Sequence, residues 1–192
     1  MTARTHDLGA ITALGLVVLI INIQNVTLAT VIIAIFANLI GGIAPDIDQP
    51  TAPLWHNLPV GKYIGKVFDK LLGGHRFITH SILGLVILGY LIHLLLNFIR
   101  PILGSSNIGY IWWAFMIGML SHLILDSFTK EGVPWLLPIP FKFGFPPLKR
   151  LRIKTGKWVE TLIVFPLLII FNGIWYAKHY QKILFIIHHK IL

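Results

Sequence analysis

Cysteine is absent from the 192-residue chain. That excludes disulfides and thiolate metal sites, and it leaves His, Asp and Glu as the side chains able to hold an ion. Acidic residues are nearly as scarce: seven Asp and Glu face sixteen Lys and Arg, for a formal net charge of +9. Charged residues of both signs make up only 12% of the chain, about half the share in a soluble domain. Internal repeats and low-complexity tracts are also missing, so solenoids and disordered linkers are excluded.

Apolar residues fill the gap, at 56% of the sequence. A soluble core of this size would leave much of that Ile, Leu, Val and Phe exposed in large patches, and a lipid bilayer is the simplest place for it. In a soluble protein a charge of +9 would suggest nucleic acid. In a membrane protein it marks cytoplasmic loops and contact with anionic headgroups, so membrane lipids are the expected partners and nucleic acid is not.

Five stretches are long and apolar enough to cross a hydrocarbon core about 30 Å thick: roughly 8–24, 27–44, 80–99, 108–127 and 158–177. The first is longer than a signal-peptide core and lacks a small-residue cleavage site, so it reads as a retained span. The tail 181–192 is too short to span alone. The predicted fold is an all-α, polytopic bundle of about five transmembrane helices, one domain over residues 1–192. Two long proline-containing loops, 45–79 and 128–157, connect the spans.

Threading five spans puts the N-terminus and both long loops on one side. Twelve of the sixteen basic residues then share that side: Arg4, Lys62, Lys66, Lys70, Arg76, Lys130, Lys142, Lys149, Arg150, Arg152, Lys154 and Lys157. The positive-inside rule makes it cytoplasmic, which predicts a multi-pass protein of the inner (cytoplasmic) membrane. All seven acidic residues gather on the same side or at its rim, with His6, His56, His75, His80 and His122. Avoidance of lipid explains why charges leave the membrane middle. It does not explain His122 and Asp126, which stand inside an apolar run where ionisable groups are costly and usually functional.

Several constellations carry this chemistry. In SHLILDSFT, His122 and Asp126 are four apart on one helix face, about one turn separating them. Gly118 lies a further turn back, where a neighbouring helix can approach. GGHRFITHS brings His75, Arg76, Thr79 and His80 to the entry of the third span, with Gly73 and Gly74 giving the backbone freedom to converge them. In IAPDIDQP, Pro45 limits the second span, and an extended Asp46-x-Asp48 would present both carboxylates on one face. THD places His6 and Asp7 just before the first span, and Glu160 opens the fifth. Each has a plainer reading alone: an interhelical hydrogen bond, interfacial histidines, an Asp-capped turn, an N-cap at Asp7 and a helix-dipole partner at Glu160. Their arrival on one membrane face favours a shared site.

The THD start, PDID, HRFITHS, HLILDSFT followed by EGVPWLLP, and the late TG-x-x-x-E resemble the YdjM-like, LexA-regulated family of membrane-bound metal-dependent hydrolases, over most of the chain to about residue 170. The resemblance implies hydrolysis with a divalent metal in the inner membrane. Its matched positions are His6, Asp46, Asp48, His75, His80, His122, Asp126 and Glu160.

The candidate ligands are therefore His6, Asp46, Asp48, His75, His80, His122 and Asp126. Seven exceed the four that one tetrahedral zinc needs, which favours two ions, with Asp46 or Asp126 bridging. Zinc is the metal expected, with manganese and iron left open. A divalent metal would activate water at neutral pH. Arg76 would clamp a phosphate or developing negative charge, and Glu160 or Glu131 would act as general base or hold a histidine. The expected substrate is a phosphoester at the cytoplasmic face, such as a phospholipid or a lipid-linked phosphate. The alternatives are a transition-metal cation transporter or channel using the same His/Asp cluster, or a structural subunit with a metal-stabilised fold.

Overall fold

A computed structural model describes residues 1–188 apart from 22, 24–25, 53–54, 56–58, 72–75 and 140. Its helices are α1 (Ala3–Ile20), α2 (Leu28–Ile43), α3 (Gly61–Leu71), α4 (Ile82–Phe98), α5 (Arg100–Leu103), α6 (Ile108–Ser127), α7 (Phe165–Lys178) and α8 (Tyr180–Ile186). A 3-10 turn, Ala44–Asp48, follows α2, and a wide π turn, Glu160–Val164, precedes α7. The π turn accommodates Pro166, which lacks an N–H for the helix ladder and crowds the carbonyl one turn back.

The all-α membrane architecture is as expected. Among the described residues, four helical segments are long and apolar enough to cross a bilayer: Ala3–Ile20, Leu28–Asp48, Ile108–Ser127 and Glu160–Lys178. The fifth expected span is the shorter apolar helix Ile82–Phe98, of 17 residues, about 25 Å at 1.5 Å per residue. Side-chain oxygens cap three of these helices: Thr27 accepts from Thr30 N, Ser81 from Gly84 N and Asn107 from Tyr110 N, each satisfying an otherwise orphaned donor.

The first helix starts earlier than its hydropathy suggested. Thr2, not Asp7, occupies the N-cap position, so His6 and Asp7 lie inside α1. The cause is tertiary. The Glu160 carboxylate accepts from Thr2 N, Thr2 Oγ1 and Thr5 Oγ1 at 2.6, 2.8 and 2.8 Å, drawing this polar stretch into the helix.

At the centre stands α6, packed against α1, α2 and α4. Its Ile111, Ala114, Phe115, Met119 and Leu123 are buried. The contact with α2 is backbone to backbone. A Cβ at Gly118 would run into the Asn38 carbonyl, and one at Gly41 into the Phe115 carbonyl. Such close approach suits membrane helices, where lipid is as apolar as Leu and dispersion must come from near contact. Outward faces carry exposed Ile, Leu and Phe, including Ile35, Phe36, Ile40, Leu91 and Leu167. In the 128–157 loop, Lys130 N donates to Ile153 O, while Val133 and Phe143 exchange backbone bonds of 2.8 and 2.9 Å. The loop is pinned over one end of the bundle where Ile82 N meets Trp135 O.

Candidate metal centre

His122 and Asp126 are presented inward by the last two turns of α6, and both are fully buried. The His122 Nδ1–H donates to the Gly42 carbonyl of α2 at 2.7 Å. That bond fixes the tautomer and turns the basic Nε2 toward the cluster. A ligating histidine is normally held this way, by an outer acceptor on its second nitrogen.

His80 enters from the segment ahead of α4. The Thr79 hydroxyl donates to Asp48 Oδ2 at 2.5 Å, so its oxygen accepts from His80 Nδ1–H at 3.0 Å. The His80 Nε2 consequently faces His122 Nε2 at 3.3 Å. Asp46 Oδ1 lies 3.5 Å from His80 Nε2 and 3.7 Å from His122 Nε2. A tetrahedral ion with bonds of about 2.0–2.1 Å spaces its donors about 3.3 Å apart. Asp46, His80 and His122 thus form one face of such a polyhedron, with the fourth position left for another ligand. Asp46 is 17% exposed whereas both histidines are at 0%, so it marks the side reached by solvent.

A second triad shares His122: His6, His122 and Asp126. The His6 ring stacks on His122 with centroids 3.6 Å apart, and His6 Nε2 lies 3.3 Å from Asp126 Oδ1. Asp126 Oδ2 faces the other triad, 3.7 Å from His122 Nε2 and 3.8 Å from His80 Nε2. Among the described residues, neither His6 nitrogen nor Asp126 Oδ2 has a hydrogen-bond partner, and all three are buried. Buried polar atoms are very rarely left so, and an ion is one of the recognised explanations. The Arg76 Nη2 does come within 2.6 Å of Asp126 Oδ2, but out of line for a hydrogen bond, so it supplies charge without satisfying the oxygen. The donors therefore fit a divalent metal in type, spacing and unmet bonding.

The electrostatics agree. Asp46, Asp48 and Asp126 converge on a region whose nearby fixed cations are the Arg76 guanidinium and the Met1 amino group, which pairs with Asp126 Oδ1. Burial alone would lower the His80 pKa, yet the Asp46 and Asp48 carboxylates outweigh it and raise it above the ordinary imidazole value. The same field draws a metal cation, with which a proton competes for Nε2.

Several expected roles change. Asp46 and Asp48 do not share a face, because the segment is a 3-10 turn rather than extended. At three residues per turn, positions two apart diverge by about 120°. The two carboxylates instead hold His80 from opposite edges, Asp46 at Nε2 and Asp48 at Nδ1. Asp48 also accepts from the Arg76 backbone N at 3.0 Å, which makes it a group that orients His80 rather than one aimed at the ion. Asp48→Asn is expected to weaken metal affinity by roughly 10–100-fold while leaving full occupancy attainable at saturating metal, measurable by titration of the metal-stripped protein.

Arg76 is buried, with a φ of 61°. Its Nη1 donates to Thr129 Oγ1 at 2.8 Å and lies 3.3 Å from Glu131 Oε2. It therefore sits beside Asp126, bridging the two loops. Glu131 is 61% exposed on that pair's outer edge. Glu160 does not reach the cluster as a base: the Thr2 and Thr5 donors and Gly156 N, at 2.7 Å, occupy its carboxylate. His75 lies outside the described residues. Sequence reasoning missed the roles of Thr79, Thr129 and the Gly42 carbonyl. The two threonines stand inside the HRFITHS and HLILDSFT motifs, but a carbonyl leaves no side-chain signal.

A family model described as YdjM inner membrane protein matches residues 1–181. The chain belongs to the YdjM family. Relatives of this YdjM-family chain include YvsG of Bacillus subtilis (strain 168), 28% identical over 165 residues that cover 85% of this chain and 88% of that protein. The inner membrane protein YdjM of Escherichia coli (strain K12) is 33% identical over 106 residues, 55% of this chain and 50% of the relative. The inner membrane protein YbcI of the same organism is 29% identical, covering 62% and 61%. No solved structure matches. Membership of the YdjM family agrees with the membrane-spanning helices, and the buried His/Asp cluster is this chain's candidate metal site.

Proposed function

We propose that this YdjM-family protein is a membrane-embedded, metal-dependent hydrolase acting on a phosphoester at the bilayer surface, with N-terminus and site on the cytoplasmic side. The carrying observation is the convergence of His80 Nε2, His122 Nε2 and Asp46 Oδ1 within 3.3–3.7 Å. Three protein donors, with Asp126 Oδ2 3.7–3.8 Å from both histidine nitrogens and Asp46 on the solvent side, resemble catalytic zinc sites, which add water to their protein ligands and expand to five-coordinate. A bound ion would supply Lewis acidity and activate water at neutral pH.

The chain's own residues do the rest. Asp48 and Gly42 hold the two imidazoles so that each presents its basic nitrogen. Arg76 places a fixed positive charge beside Asp126, where developing negative charge on a phosphoryl group would be stabilised. His122 has one nitrogen to offer, since Gly42 takes the other. A second ion would therefore rest on His6 and on Asp126, whose two oxygens face the two triads. Exposed Phe145, Leu148, Leu151 and Trp158 alternate with Lys149, Arg150, Lys154 and Lys157, a composition that suits the headgroup region, where apolar and cationic groups are both satisfied. This supports a lipid or lipid-linked phosphate as substrate.

A transport reading has less support. Beyond the cluster the interior of α6 is closed by buried Met119, Phe115, Ala114 and Ile111, and Asn38 is engaged with the Ala114 carbonyl at 2.9 Å. The deciding assay compares hydrolysis of anionic phospholipid in micelles, read as release of a phosphorylated headgroup or of phosphate, with zinc uptake into proteoliposomes. Metal-dependent release without uptake, abolished by chelator and restored by zinc, manganese or iron, is the expected result. Uptake lost in His122→Ala, with no turnover, would replace hydrolysis with transport.

A further inference from the structure

At the other end of α4 and α6 lies a recess of about 760 Å³ that the metal centre does not use. From Asp126 to the start of α6 is 18 residues, about 27 Å along the helix, so the recess opens at the opposite membrane face. Its chemistry favours an anion. Arg100 lines it, and no Asp or Glu occurs between residues 70 and 125 to pair with that guanidinium. Ile108 and Gly109, in the first turn of the 20-residue helix α6, also line it. Their amides have no intrahelical acceptor and stand at the positive end of the helix dipole. The independent sign of a missing ligand is Ser106. It lines the same recess, is only 9% exposed, and its Oγ has no hydrogen-bond partner among the described residues.

The recess adjoins an apolar groove of about 330 Å³ between α4 and α6, the two sharing His93 and Trp112. The groove runs back along Gly89, Val86 and Leu85 toward the membrane interior. Leu85 to His93 is eight residues, about 12 Å. Gly89 lets Met116 of α6 pack close against α4, since a Cβ there would strike its thioether, and the Trp112 indole N–H donates to the Gly89 carbonyl at 2.7 Å, holding the helices in register. A free anion would need the recess alone and leave the groove to no purpose.

We propose that this paired recess and groove binds one anionic phospholipid from the leaflet opposite the metal centre, with its phosphate at Arg100, Ser106 and the α6 N-terminus and one acyl chain between α4 and α6. The site is independent of the metal chemistry. Native mass spectrometry of the full chain released from detergent, with phosphatidylglycerol or with diacylglycerol added, tests it. Wild type should retain phosphatidylglycerol at least tenfold more than the phosphate-free diacylglycerol. Arg100→Gln should lose most of that preference and Arg100→Lys keep part of it, with bound metal unchanged in both. Equal retention of the two lipids by wild type, or an unchanged preference in Arg100→Gln, overturns the proposal. So does displacement of the lipid by millimolar inorganic phosphate, which would mark a free-anion site.

Discussion

His80→Ala is expected to abolish stoichiometric metal binding. His80 supplies one corner of the triad, with its Nε2 3.3 Å from His122 and 3.5 Å from Asp46, and its loss leaves that ion two of its three closest protein donors. The loss should exceed the roughly 10–100-fold cost of removing an outer partner such as Asp48. Elemental analysis of purified protein reads occupancy directly. Thermal unfolding gives a second reading. Metal at a hundred times its dissociation constant stabilises the wild type by about 2.7 kcal/mol, and this increment should vanish in His80→Ala. His179→Ala serves as the control, because its Nδ1 is engaged by the Trp175 carbonyl of its own helix, at the other end of the bundle. Full metal occupancy in His80→Ala would remove the triad from consideration and the proposed hydrolytic centre with it.

The second large effect is expected from a residue that touches no ligand. Gly118→Leu would drive a side chain into the Asn38 carbonyl and the Gly42 amide of α2. These are backbone atoms, so the helices must separate. Overpacking of this kind costs about 1–3 kcal/mol where side chains can adjust, and more where backbone is struck. Separation would also carry His122 away from the Gly42 carbonyl that sets its tautomer and from Asp46. Loss of thermal stability and loss of metal should therefore appear together in one variant. Gly173→Leu should change neither, since a Cβ at Gly173 meets nothing within 4 Å. Metal bound normally by a stable Gly118→Leu protein would show that the α2–α6 contact does not position the site.

The membrane architecture was legible because hydropathy is additive along the chain: a run of about 20 apolar residues identifies a span whatever it packs against. The His122–Asp126 pair was legible for a similar reason, since helical periodicity fixes which side chains share a face. The start of α1 was not, because it depends on a carboxylate about 155 residues away. The Asp46–Asp48 geometry was misjudged because a short PDID segment does not itself distinguish an extended strand from a 3-10 turn.

What the sequence determined by itself was a cysteine-free, lipid-embedded helical chain, and the set of side chains from which any metal site must be built. Assigning those side chains to roles fell to the tertiary structure. Asp48 orients His80, Glu160 anchors the N-terminal residues, and a Gly42 carbonyl aims His122. Each of these roles is a contact between distant segments, and such contacts arise when close packing at Gly118 and Gly41 brings α2 and α6 together, not from any local preference of the chain.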